Sequence, residues 1–152
     1  MLALAGTTVA GLAGCLGGSS VTGPRNGDDL PADSNPADGL PPRFEQTPSS
    51  RVIDPASFDT TSVEGISVPL APIETVYYWY SRGDARFVDA RGPDQYQRSH
   101  IYGAVLSPAP SGFPQNDPLS SWPQDERIVC YCGCPHHLSS LRAASLLAND
   151  YD

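Results

Sequence analysis

Lysine is absent from this chain. All nine basic residues are Arg, seventeen residues are Asp or Glu, and the formal net charge is −8. Such a surface repels phosphate backbones and anionic headgroups, which argues against a nucleic-acid partner. An acidic, Lys-free composition is also that of proteins from salt-loving cells. A run long enough to span a membrane is missing too: the apolar stretch Leu2–Leu16 falls short of the roughly 20 residues a span needs. No Arg precedes Arg25, so the start lacks the positive charge typical of export signals. There is no internal repeat, and no second pair of cysteines elsewhere to complete a structural zinc site.

What is abundant is Pro and Gly, sixteen and fourteen residues. They concentrate in Gly17–Ser50, GGSSVTGPRNGDDLPADSNPADGLPPRFEQTPSS, where apolar periodicity is nearly absent. A segment that buries so little cannot offset its ordering entropy, so residues 16–51 read as a disordered tether. Ahead of it, Leu12-Ala13-Gly14-Cys15 closes the apolar stretch and resembles a lipobox, the lipidation site of prokaryotic lipoproteins. The resemblance implies a signal over residues 1–15, a lipid on Cys15, and an extracytoplasmic domain anchored through that lipid.

From residue 52 to 152 the pattern is that of one folded domain. PIETVYYWYSRGD (72–84) puts Ile73, Val76, Tyr77 and Tyr80 on one helical face, with Pro at the first turn and Gly83 at the end. ARFVDAR (85–91) is a short apolar run ending in charge, as a buried parallel strand does. GPDQYQRSH reads as a turn and short helix, IYGAVLSP (101–108) as a second strand, and RIVCYC (127–132) as a third. Residues 111–126 form a polar, Pro-broken connection. SSLRAASLLAND (139–150) reads as a helix, with Leu138, Leu141 and Ala144/Ser145 sharing a face. The alternation of strand and helix predicts an α/β domain with a parallel sheet.

Several short motifs share one order and spacing. Asp89-Ala90-Arg91, Tyr96, Ser99-His100-Ile101-Tyr102-Gly103-Ala104, Pro108, Ile128-Val129-Cys130-Tyr131-Cys132, then Arg142-Ala143-Ala144 and Leu147 together resemble a rhodanese domain, from about Ile66 onward. The resemblance implies a rhodanese-like parallel sheet flanked by helices and a sulfurtransferase using a cysteine persulfide. It implies no cofactor; the partners would be a small sulfur-containing anion and a thiol acceptor. Asp89, Arg91 and His100 take structural places in it. The family usually continues with another strand, a Gly-Gly turn and a helix bearing Trp. The expectation is therefore a truncated fragment, or a sheet one strand short with apolar surface exposed at one side.

The loop departs from the family pattern. In place of C-x-x-G-x-R-S stand Cys132-Gly133-Cys134-Pro135-His136-His137-Leu138-Ser139, which are the expected anion-cradling residues. Counting from the strand makes Cys132 the nucleophile; counting back from Ala143-Ala144 makes it Cys134. The strand fixes position more rigidly, which favours Cys132, with Cys134 as a second loop thiol. A thiolate there would gain from loop N–H groups and the helix dipole, which predicts a depressed pKa. His136 and His137 stand where charge could replace the loop's missing Arg. Cys130 lies within the strand and reads as a small buried hydrophobe.

Two rival readings remain. Cys130, Cys132 and Cys134 share one side of an extended strand and two His follow, which suggests a metal site, although C-x-C-x-C-P-H-H is not a recognised zinc spacing. The altered loop also fits a non-catalytic module that binds a partner or senses redox state.

Overall fold

The computed structural model describes residues 38–109, 117–133 and 137–151. The signal segment, Cys15, Cys134 and His136 lie outside the described residues.

The first regular element is a hairpin. Strands β1 (Asp59–Val63) and β2 (Ile66–Leu70) pair antiparallel, with Val63 opposite Ile66. Glu64 and Gly65 between them both have positive φ, 51° and 85°. That is the two-residue turn whose twist matches the flanking strands. Helix α1 (Ile73–Arg82) follows and stops at Gly83, whose left-handed conformation lets its N–H reach the Trp79 and Tyr80 carbonyls. Then come β3 (Arg86–Asp89), α2 (Pro93–Arg98), β4 (Val105–Leu106), β5 (Ile128–Tyr131) and α3 (His137–Leu147).

Among the described residues β4, β3 and β5 form a parallel sheet in that order. The fold is α/β, as expected. Alternation along the strands sends successive side chains to opposite faces. Phe87, Val129 and Tyr131 join Tyr78, Trp79 and Tyr80 of α1 on one face. Val88, Ile128 and Cys130 join Leu119, Leu146 and Tyr151 on the other. With packing on both faces, β3 and β5 carry apolar side chains on either side, which makes them readable as short hydrophobic runs.

Three placements differ from the sequence reading. In α1, Ile73 is 72% and Tyr77 45% exposed, while Thr75, Tyr78, Trp79, Tyr80 and Ser81 are buried. The buried face is turned because coil from residues 38–58 covers α1. Phe44 meets Tyr80 edge-on, Phe58 packs on Trp79, and the Arg51 guanidinium lies over the Tyr78 ring. In α3 the buried residues are Ser140, Arg142, Ala144 and Leu146, so Leu138 and Leu141 are only half-buried. The strand expected over 101–108 is reduced to two residues.

The coil also changes the tether. Residues 38–51 carry no helix or strand, yet they are held to the domain. The Gly39 N–H donates to the Gly103 carbonyl at 2.8 Å, and the Phe87 N–H donates to the Gly39 carbonyl at 2.7 Å. Gly103 has φ +85°, and a Cβ there would fall 1.9 Å from the Leu40 carbonyl oxygen. Only glycine accommodates this crossing.

A cavity of about 750 Å³ opens beside β5. Ile128, Val129 and Cys130 line one side and Val68, Pro69 and Leu70 of β2 the other, with Trp79 and Leu146 among its remaining walls. Among the described residues β5 is thus an edge strand facing an apolar slot.

Candidate active site

Cys132 immediately follows β5 and is half-buried. Its thiol lies 3.4 Å from the Ser139 hydroxyl oxygen, within hydrogen-bonding reach for sulfur. Ser139 is the third residue of α3. The sulfur therefore sits against the first turn of a helix, where the positive end of the dipole favours an anion. Gly133 and His137 are exposed, and Leu138 is half-buried. Of the described loop residues, Ser139 is the one whose side chain meets the Cys132 thiol in a hydrogen bond.

Cys130 has a different environment. Its thiol belongs to the apolar cluster with Val88, Leu119 and Leu146. Burial pushes it up to about 12, against a smaller lowering by the Arg142 charge and a raising by Asp117. Such a thiol stays protonated and inert at neutral pH. Among the described residues no three His, Cys, Asp or Glu side chains converge as metal ligands.

The motif residues form a scaffold behind the loop. Asp89 is fully buried at the end of β3. Its carboxylate takes hydrogen bonds from the Arg91 Nε at 2.8 Å and Nη2 at 2.6 Å, and from the Arg91 backbone N–H at 3.0 Å. Arg91 Nη2 also donates to the Ser99 carbonyl at 2.6 Å. The hydrogen bond to Asp89, partly opposed by burial, raises the Arg91 pKa further and keeps it charged. The His100 ring stacks on Tyr96 with centroids 3.8 Å apart, and its Nδ1–H donates to the Tyr96 carbonyl at 2.7 Å. The Ile101 N–H donates to the Tyr131 hydroxyl at 3.0 Å. The Ile101–Tyr131 contact fastens the 99–104 loop to β5 one residue before Cys132.

One cluster escaped the sequence reading. Arg142, 1% exposed, pairs with the buried Asp117 carboxylate, which also accepts from the Ser107 hydroxyl at 2.6 Å. Asp117 further caps the turn Pro118–Ser121 through the Leu119 N–H at 3.0 Å. The network joins the end of β4, that turn and α3 beneath Cys130. An Asp-Pro cap and an Arg on an otherwise apolar helix face were the available signals.

A family model described as rhodanese-like domain matches residues 74–152. No curated protein and no solved structure matches the chain.

Proposed function

The chain belongs to the rhodanese-like domain family, and from that membership we propose that it moves sulfane sulfur through a persulfide on Cys132. The observation that carries the proposal is the Cys132 thiol at the end of the parallel strand β5, 3.4 Å from Ser139 in the first turn of α3. Cys130, held protonated by burial, is unsuited to the task.

The Cys132 thiolate attacks the outer sulfur of thiosulfate. The new S–S bond forms as the donor's S–S bond breaks, and sulfite leaves with that bond's electron pair. Cys132 then carries S–S⁻. An acceptor thiolate attacks the outer sulfur, leaves as its own persulfide, and restores the Cys132 thiolate. Ser139 Oγ–H and the first N–H groups of α3 stabilise the anion at both stages. Cys134 is a second thiol of the same loop.

The reading extends to location. The lipobox-like Leu12–Cys15 supports a mature chain anchored through a diacylglyceryl-type lipid on Cys15 and facing away from the cytoplasm, since a single acyl chain binds only marginally.

A sulfite-release assay with thiosulfate and a thiol acceptor tests the activity. Turnover by the natural chain and none by Cys132→Ser is the expected result. No turnover by the natural chain, with any donor, removes the enzymatic reading and leaves a binding module.

A further inference from the structure

Arg91 brackets Cys132. A Cβ on Gly133 would lie 3.5 Å from the Arg91 Cδ, and the guanidinium carbon lies 5.7 Å from the centre of the Tyr131 ring. The residues on both sides of Cys132 thus pack against one arginine from the end of a different strand. Asp89 and the Ser99 carbonyl take up Nε and Nη2, and neither uses Nη1. The pair is also graded in depth: the Asp89 side chain is 0% exposed and that of Arg91 15%. The carboxylate lies inside and the cation is partly exposed.

We infer that Arg91 is a specificity-determining residue for the proposed sulfur transfer, presenting a fixed positive charge that draws anionic donors to Cys132. A forked, two-bond ion pair holds the guanidinium in one orientation, so little side-chain freedom is lost when an anion arrives. Among the described residues the neighbouring ionisable groups are Asp89 on β3, Tyr131 on β5, His137 at the start of α3, and His100 stacked on Tyr96. Burial raises the Tyr131 pKa and keeps that phenol neutral. Arg142 lies beneath Cys130, paired to Asp117. Among the described residues Arg91 is thus a permanent cation packed beside Gly133 and Tyr131, the two neighbours of Cys132. The chain as a whole is strongly acidic, so this local charge works against the field of the rest of the surface.

The inference rests on the persulfide reading, and its test is independent of sulfur transfer. Iodoacetate and iodoacetamide both alkylate a thiolate, but only the first is an anion. The ratio of their rates at Cys132, followed by peptide mass spectrometry, cancels the thiolate fraction and reports the local charge. The ratio should fall about tenfold in Arg91→Gln, the equivalent of about 1.4 kcal/mol. Arg91→Lys should retain part of it. In the natural protein, added salt should lower the ratio, because it screens an attraction. Should Arg91→Gln fail to fold, the salt series decides: a ratio that rises with salt means the net negative surface dominates and overturns the inference. An unchanged ratio in a folded Arg91→Gln overturns it as well. A ratio that behaves as expected in a chain without sulfur transfer upholds the cation and removes the persulfide reading instead.

Discussion

The Cys132 thiol and the Ser139 hydroxyl are 3.4 Å apart, and that contact joins the end of β5 to the first turn of α3. If Ser139 stabilises the Cys132 anion, Ser139→Ala should lower the rate of sulfur transfer about threefold to tenfold, the worth of one hydrogen bond of roughly 1 kcal/mol. It should also move the alkylation midpoint of Cys132 to higher pH, read by iodoacetamide rate against pH. Equal rates for the two proteins would mean the contact is only packing.

Cys130 should govern part of the alkaline stability. Its thiol is pushed from 9.0 to about 12 by burial. A raised folded-state pKa gives stability that is fully present below the unfolded value and is lost as pH rises through the folded value. The natural chain should therefore lose stability between about pH 9 and about pH 12. Cys130→Ala should be less stable at neutral pH, because a buried sulfur is lost, but should show a shallower decline over that window. The buried Tyr80 and the half-buried Tyr96 and Tyr131, also raised by desolvation, add a decline above pH 10 that the substitution leaves in place. Urea midpoints measured across this range check it; identical slopes would count against a buried thiol.

Arg142 and Asp117 form a buried pair, so removing either partner strands a charge. Asp117→Ala and Arg142→Ala should each cost roughly 3–5 kcal/mol of stability. The double replacement by apolar residues of similar volume should cost less than the sum. Chemical denaturation of the two single variants and the double variant gives the coupling directly. Additive losses would show that the groups act separately.

Gly103→Ala should destabilise by several kcal/mol, because φ is positive and a Cβ would collide with the Leu40 carbonyl. It should also loosen residues 39–41 from the domain, seen as faster proteolysis there. A variant with an unchanged melting temperature and the same cleavage pattern would mean that the 38–51 coil does not rest on Gly103 in solution.

Anchoring through Cys15 should send the native protein into the detergent phase, and Cys15→Ser should release it. Partitioning followed by mass analysis of the N-terminus checks this. A chain found unmodified and uncleaved in the cytosol contradicts it.

What could be read in the sequence follows from how local each signal was. Arg86–Asp89 and Ile128–Tyr131 send apolar side chains into clusters on both faces of the sheet, so they appear as short apolar runs, and their order with Asp89, Arg91 and His100 carried the family. The face of α1 was misread because the residues that cover it, Phe44, Arg51 and Phe58, come from a Pro-rich coil whose composition resembles a tether. The hairpin at Glu64-Gly65 was missed because two short, half-polar strands carry little periodicity. Arg142 and Asp117 lie 25 residues apart, and nothing local pairs them. Arg91 was legible as a scaffold residue; its place beside Gly133 needs the loop in three dimensions.

The central claim is that Cys132 carries the transferred sulfur. Treatment of the reduced, full chain with thiosulfate, followed by peptide mass spectrometry without added reductant, tests it most directly. The account predicts one added sulfur on the peptide containing Cys132, located at Cys132, and none at Cys130. Sulfur on Cys134 instead would mean that the helix, not the strand, sets the reactive position; no added sulfur on any cysteine would contradict the persulfide chemistry altogether.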